Sequence, residues 1–209
     1  MAVITISRQY ASGGSSIARL VAQRLSWTLI DNEFVNRVAG LAGLPTQEVA
    51  KLEERVAGLM ERLARALAVS SPELFVTTGE TPNTGPNKED EIVRITERVI
   101  TEAAQHDHVV LVGRGAQAYL AERADTLHVY VVGPRDVRIT RAMERLKTTR
   151  KDAERALDDI DDGRRQYVRQ HYGRTWDDPA NYDLVVNTGK FSYEAAADLI
   201  VRAAGRLGG

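Results

Sequence analysis

The feature that most constrains this fold is the repeated switch in the spacing of apolar residues, from the two-residue period of a strand to the helical period. Short β-branched runs such as Val3–Ile6 and Val109–Val112 are typical of buried strands. Amphipathic helical patterns lie between the strands. Strands that alternate with helices predict a parallel sheet covered on both faces. The sequence therefore predicts an α/β fold of three layers, α/β/α, as a single domain over 1–209.

The same periodicity places the elements along the chain, and it singles out two specialised regions. We expect a helical and loop insertion at 43–90, because 70–87 contains three prolines and two glycines. We expect a lid at 148–178, where an arginine-rich helix precedes the last strand. The expected strands are 3–6, 27–30, 109–112, 126–132 and 182–187, and the expected helices are 15–25, 33–42, 46–69, 88–105, 136–147, 152–170 and 192–206.

The composition of the chain excludes several classes of protein and of binding site. The formal net charge is −1, so no overall positive field favours nucleic acid. The chain has no cysteine, which excludes disulfides and thiolate metal sites. No window approaches eighteen apolar residues, and the N-terminus does not resemble a signal peptide. We expect a cytoplasmic protein that binds neither membrane nor nucleic acid.

A glycine-containing loop follows the first strand and leads into a helix, over residues 7–16. Backbone N–H groups converge at such a helix N-terminus, where the helix dipole favours phosphate. Gly13 and Gly14 let a phosphate approach the backbone, and Ser15 or Ser16 offers a hydroxyl for Mg²⁺. The alternative is a plain turn that needs glycine for geometry and serine for capping. The loop departs from the GxxxxGK[ST] pattern, since Gly14 replaces the lysine and Arg8 the first glycine.

Two further residues follow predicted strands, where ligands bind in parallel sheets. Asp31 ends the second strand and is a candidate for orienting an acceptor hydroxyl or sugar; the alternative is a helix N-cap. Arg114, between two glycines after the third strand, is suited to bidentate contact with a phosphate. We place Arg114 on the acceptor side, away from the donor loop; the alternative is a structural salt bridge. The charged run at 150–174 is typical of a solvated helix face, with a lid as the alternative.

Three stretches together resemble the cytidylate-kinase-like family. They are ITISRQYASGGSSIARLVAQRLSWTLIDNEFVNRVA with its SRQ-type loop, VVLVGRGAQAYL followed by LHVYVVGPRDVRITRAMER, and DDGRRQYVRQHYG with DDPANYDLVVNTG. The resemblance covers most of the chain except 43–90. It implies a P-loop kinase fold, ATP with Mg²⁺, and phosphoryl transfer to a nucleoside monophosphate such as CMP.

The resemblance also implies roles for residues at matching positions. Asp31 and Arg114 would face the acceptor, and Arg164, with Asp161 three residues before it, matches the lid arginine. Regular cytidylate kinases have a lysine at the position of Gly14 and an aspartate at that of Gly115. Donor phosphates would be cradled by Ser12, Gly13, Gly14, Ser15 and Ser16, with Ser15 toward Mg²⁺.

The missing lysine leaves the phosphate loop short of positive charge. A transferring phosphoryl group requires charge neutralisation, and Arg8 is the only basic residue in 7–16. We therefore predict that Arg8 acts as the replacement cation, with Arg164 and Asp31 as the other catalytic residues. A structural ion pair between Arg8 and a carboxylate is the alternative. Two other functions stay open: a kinase with a different acceptor, and a nucleotide-binding regulatory protein without turnover.

The predicted helix at 46–69 carries an apolar stripe with coiled-coil spacing. Packing against the same chain and homodimer formation both account for it. If the stripe is a dimer interface, light scattering at micromolar concentration will give twice the chain mass of 23.1 kDa. A monomeric mass would contradict the dimer. The stripe consists of Val49, Leu52, Val56, Leu59, Leu63 and Ala66.

Overall fold

The computed structural model describes residues 3–31, 87–106 and 108–206. The chain divides into two compact units, residues 1–29 with 107–209, and residues 30–106. The predicted helices 33–42 and 46–69, the predicted loop up to residue 86, and the Val49–Ala66 stripe lie outside the described residues. The second unit contains the predicted insertion 43–90.

A five-stranded sheet forms the centre of the first unit, in the order β2-β3-β1-β4-β5. β1 pairs in parallel with β3 and with β4, and β4 pairs in parallel with β5. β1 and β4 are buried along nearly their whole length because helices cover both faces of the sheet. The strands are β1 (Val3–Arg8), β2 (Thr28–Ile30), β3 (Val109–Val112), β4 (Thr126–Val132) and β5 (Leu184–Asn187).

Helices connect these strands, and a 3-10 turn at Pro179–Asn181 precedes β5. α2 belongs to the second unit, and the others belong to the first. The helices are α1 (Gly14–Leu25), α2 (Asn87–Gln105), α3 (Ala116–Tyr119), α4 (Arg135–Leu146), α5 (Arg150–Tyr172) and α6 (Tyr193–Ala204).

One face of the sheet packs against α1 and α6. Every second residue of β1 and β4 points to this face, as the pleat requires. Ile17 and Val21 of α1 meet Ile200 of α6 in the same apolar cluster, and all three side chains are fully buried. This cluster fixes the position of α1 and hence of the loop that leads into it.

The opposite face packs against α3 and α5 through a different set of side chains. Tyr130 of β4 stacks on Tyr182 and meets Trp176 edge to face. Val168 of α5 and Ala118 of α3 complete this cluster. α4 and α5 also share a small apolar core, on which two residues of the loop after β1 pack. The lid region predicted at 148–178 thus contains a helix anchored to the sheet.

The alternating pattern predicted the α/β class and the parallel sheet, and both are confirmed. The last strand is shorter than predicted and begins at Leu184, because the backbone N–H of Tyr182 donates to Pro179 in the 3-10 turn. β2 begins at Thr28 because the N–H of Trp27 still donates to Ala22 at the end of α1. The short helix α3 was not predicted.

Within the described parts of the chain, no helix has the length and apolarity to cross a membrane.

Candidate active site

The loop between β1 and α1 is tightly bonded to itself. The Ser12 hydroxyl donates to the Gln9 carbonyl over 2.8 Å, and Ser12 is fully buried. Gly13 has a φ of 87°, and a Cβ there would overlap the ring of Tyr193. Gly13 is therefore required both by its backbone conformation and by this close packing. The side chain of Ser12 serves the internal structure of the loop.

A pocket of about 90 Å³ opens beside this loop, at the N-terminus of α1. Its lining combines the first turn of the helix with arginine side chains. Backbone N–H groups and guanidinium groups on one pocket favour an anion. Of the predicted site residues, the lining includes Arg8, Gly13, Gly14, Ser15, Ser16 and Arg164.

Three predicted site residues do not line this pocket. Ser12 and Arg114 belong to the first unit and do not line this pocket. Asp31 directly follows β2 and belongs to the second unit. The sequence-based grouping of donor residues thus matches one pocket, with the exception of Ser12.

The side chain of Arg8 runs between two glycines. A Cβ on Gly14 would overlap the Cβ of Arg8 and lie 2.8 Å from its Cγ. A Cβ on Gly113 would overlap Nη1 of Arg8 and lie 2.9 Å from its Cζ. The aliphatic part of Arg8 therefore packs on the start of α1, and its guanidinium lies against the turn after β3.

That turn has an unusual backbone. Gly113, Arg114 and Gly115 all have positive φ, of 71°, 54° and 68°. A Cβ on Gly115 would overlap the ring of Tyr172, so the aspartate of regular cytidylate kinases has no room here. β3 is the neighbour of β1, so Gly113 contacts Arg8, whereas Arg114 itself does not line the pocket beside α1. The assignment of Arg114 to the acceptor side stays a prediction.

A buried carboxylate, Asp161 of α5, holds the loop to the helices. It accepts from the backbone N–H of Tyr10 over 2.8 Å, from Arg138 over 2.7 Å and from Arg164 over 3.1 Å. Arg138 also donates to the carbonyl of Gly133 over 3.1 Å. Asp161 is only 4% exposed, so these bonds compensate the cost of burying its charge.

Arg164 connects this network to the pocket. Its Nη1 donates to the backbone carbonyl of Arg8 over 2.7 Å. Its Cζ lies 6.0 Å from the centroid of the Trp176 ring. Burial lowers the pKa of the Arg164 guanidinium, and attraction to the Asp161 carboxylate opposes that shift. Arg164 is thus a cation at the pocket wall. Its hydrogen bonds to the Arg8 carbonyl and the Asp161 carboxylate hold it there.

A second set of contacts supports the loop from the side of β5. The hydroxyl of Thr188 donates to the Ser12 carbonyl over 2.8 Å. Arg141 donates to the Thr188 hydroxyl and carbonyl, both over 2.9 Å, and its Cζ lies 5.2 Å from the centroid of the Tyr193 ring. Tyr193 in turn packs against Gly13. The side chains of Thr188, Arg141 and Tyr193 together position the Ser12–Gly13 peptide.

Sequence reasoning missed the arginines of α4 as a group. Arg138 and Arg141 make the bonds above, and Arg145 lines the pocket. Their spacing of three and four residues places them on one side of a helix, which is the signal that would have indicated them.

Metal binding at this pocket would depend on the nucleotide. Ser15 is exposed and lies in the first turn of α1. Across residues 3–31, 87–106 and 108–206, no three His, Asp or Glu side chains are grouped to hold a metal ion. A serine hydroxyl next to bound phosphates is the arrangement by which phosphate-binding loops hold Mg²⁺.

Comparison with known proteins identifies the family. The model of the cytidylate kinase-like family matches residues 3–190. The structure is similar to that of an uncharacterized protein from Eubacterium ventriosum, with a TM-score of 0.71, 20% identity and 99% coverage of each chain. It is also similar to a shikimate kinase from Bacteroides thetaiotaomicron, with a TM-score of 0.52, 13% identity and 98% coverage of each chain.

One curated protein matches part of the chain. It is a uronate isomerase from Corynebacterium glutamicum, 32% identical over 105 residues. The match spans 49% of this chain and 20% of that protein, so the chain covers about a fifth of the curated relative.

The chain therefore belongs to the cytidylate kinase-like family, as its motifs indicated, and it has the predicted P-loop kinase fold.

Replacing Asp161 with asparagine will test the buried network. Asp161→Asn removes the charge that compensates Arg138 and Arg164, and we expect unfolding to become easier by about 3–5 kcal/mol. Urea unfolding measures this change. The matched control is Asp162→Asn, since Asp162 is 62% exposed and pairs with Arg165 at the surface; its expected effect is within about 0.5 kcal/mol. Equal effects for the two variants would contradict a stabilising role for Asp161.

Proposed function

We propose that this member of the cytidylate kinase-like family transfers the γ-phosphoryl group of ATP to a nucleoside monophosphate such as CMP. The observation that carries the proposal is the position of Arg8. Its aliphatic part packs on Gly14 in the donor loop, and its guanidinium lies against Gly113 in the turn that carries Arg114. One cation thus contacts both the loop that would hold the donor phosphates and the turn that would hold the acceptor phosphate.

The donor end is the pocket at the start of α1. Backbone N–H groups at Gly13, Gly14, Ser15 and Ser16 would hold the β- and γ-phosphates of ATP, with the helix dipole favouring their charge. Ser12 would contribute only its backbone, since its hydroxyl is bonded inside the loop. Mg²⁺ would enter with the nucleotide, and the exposed hydroxyl of Ser15 is the protein ligand that we assign to it.

The acceptor end is the turn after β3. Arg114 would bind the phosphate of the nucleoside monophosphate through two parallel N–H donors. Asp31, after β2, would orient an acceptor hydroxyl or the sugar. The flanking glycines leave room for the Arg8 guanidinium beside Gly113 and for the Tyr172 ring beside Gly115.

The transfer itself needs positioning and charge rather than covalent chemistry from the protein. A phosphate oxygen of the acceptor attacks the γ-phosphorus of ATP, the bond from that phosphorus to the β,γ-bridging oxygen breaks, and ADP leaves. Negative charge on the γ-phosphoryl oxygens would be stabilised by Arg8 and Arg164. Because Arg164 is fixed to the Arg8 carbonyl and to Asp161, its charge is in place before the substrates bind.

A substrate screen tests the proposal directly. The chain is incubated with ATP and Mg²⁺ and each nucleoside monophosphate in turn, and ADP release is followed. We expect release that depends on CMP. Release that depends only on another small molecule, with shikimate as one hydroxyl acceptor to include, would show a kinase with a different acceptor. ATP binding without release in any mixture would show a nucleotide-binding protein without turnover.

Arg8→Ala will separate the catalytic role of Arg8 from a structural one. Loss of a cation that acts mainly in the transition state should lower kcat by about two orders of magnitude or more. Arg8→Lys keeps a charge and should keep part of the turnover. Steady-state kinetics measures both, on proteins whose melting curves show that they are folded. Wild-type turnover in Arg8→Ala would refute the role, and loss of folding without a specific kinetic defect would favour a structural ion pair.

Arg114→Ala should affect the acceptor more than ATP. We expect a higher KM for CMP, or a lower kcat/KM, with the dissociation constant of ATP nearly unchanged, because the guanidinium binds only the acceptor phosphate. Kinetics at varied CMP and a separate ATP titration give the two values. An equal loss of ATP binding would place Arg114 in the donor subsite instead.

A further inference from the structure

We infer that Arg8 and Gly14 are an exchanged pair: the cation that a regular phosphate loop carries at position 14 is supplied here from position 8, and each residue requires the other. This inference rests on the proposed function and explains how a loop without lysine supplies charge. It predicts that two substitutions can convert the loop back to the regular phosphate-loop pattern.

The backbone does not require glycine at position 14. Gly14 is the first residue of α1 and is not among the glycines with positive φ. Any L-residue adopts a helical φ, so backbone conformation does not select glycine here. What excludes a side chain is space: its Cβ would overlap the Cβ of Arg8 and lie 3.5 Å from the Cβ of Val131.

The obstacle cannot move aside easily. The atoms that a side chain at 14 would meet are Cβ and Cγ of Arg8, which lie next to the backbone of β1. That backbone is held at both sides of the strand by pairing with β3 and β4. A lysine at 14 and an arginine at 8 therefore exclude each other.

The same overlap defines the path that a lysine would take. If Arg8 is replaced by glycine, the space of its Cβ and Cγ becomes open to a side chain from residue 14. Such a side chain starts beside the former Arg8 stem and can extend along the route that ends at Gly113. Its amine would then bring a positive charge to the part of the site where the Arg8 guanidinium lies now.

The sequence pattern is consistent with an exchange. Residues 8–15 read RQYASGGS, which differs from GxxxxGK[ST] at only two positions, the first and the seventh. Those positions are Arg8 and Gly14, the same two residues whose side-chain space overlaps. The double variant Arg8→Gly/Gly14→Lys restores the full pattern and leaves the net charge unchanged.

A double-mutant cycle tests the exchange, with the dissociation constant of ATP as its main measurement. Removing one charge-assisted contact in Arg8→Gly should raise that constant about tenfold or more. Gly14→Lys alone should weaken ATP binding by a similar factor, because the lysine collides with Arg8. The double variant should bind ATP more tightly than either single variant, since the two changes are coupled. ATP binding by the double variant that is no tighter than that of Arg8→Gly would overturn the inference.

Gly163→Lys in the Arg8→Gly background is the matched control. Gly163 also lies in a helix, and a Cβ there would meet no atom within 4 Å. This variant has the same change in composition as the double variant. Because its lysine does not enter the space beside residue 8, it should not recover ATP binding. Equal recovery would mean that any added positive charge suffices, which would also overturn the exchange.

The steric exclusion between Arg8 and a side chain at position 14 has its own test, which applies if a lysine variant does not fold. Gly14→Ala should lower the melting temperature in the Arg8 background and raise or maintain it in the Arg8→Gly background, where alanine favours the helix. An equal decrease in both backgrounds would contradict the inference. Because these measurements need no acceptor, a chain that binds ATP through this pair but never phosphorylates CMP would refute the proposed function and leave the exchange supported.

Discussion

The side chain of Arg8 needs a passage that only glycine leaves open, and the arrangement of the site depends on that passage. Its stem packs on Gly14 at the start of α1, and its guanidinium reaches Gly113 after β3. The two glycines belong to loops after neighbouring strands, because β1 and β3 pair in parallel and end at the same edge. A side chain at either glycine would force the guanidinium out of its place. In the proposed function, this one long side chain would supply the positive charge that a regular phosphate loop carries as a lysine on its helix.

A second constraint keeps this passage in position, and it is electrostatic. Burying Asp161 without partners would cost several kcal/mol, so the carboxylate must keep Arg138, Arg164 and the N–H of Tyr10 around it. Arg164 then also binds the Arg8 carbonyl, which ties α5 to the end of β1. Many of the charged side chains in the predicted lid therefore form structural ion pairs. Arg165, for example, pairs with Asp162 and Asp177 at the surface. In the proposed function, cations that are fixed in this way would lower the reorganisation needed when a phosphoryl group arrives.

The sequence predicted the fold well because periodicity is a local signal, and β1, β3 and β4 are long and apolar enough to show it. It also predicted several of the residues that line the pocket beside α1, since a strand, a glycine turn and a helix are contiguous in the chain. It could not predict that the turn after β3 contacts Arg8, because strand order is a property of the folded sheet. Nor could it predict the Asp161 bonds to Tyr10 and Arg138 or the Thr188 contact with Ser12, which join residues 23 to 176 positions apart. The 3-10 turn before β5 was missed because its Asp178 cap competes locally with an extended pattern.

In the proposed function, the Arg8 guanidinium neutralises the transferring phosphoryl group. A crystal structure of the chain with a non-hydrolysable ATP analogue, Mg²⁺ and CMP measures this most directly, through the distance from the Arg8 guanidinium nitrogens to the γ-phosphate oxygens. The account predicts a charge-assisted hydrogen bond of about 2.7–2.9 Å, with Arg8 still packed between Gly14 and Gly113. An Arg8 guanidinium paired only with a carboxylate, with no contact to the γ-phosphate, would contradict it.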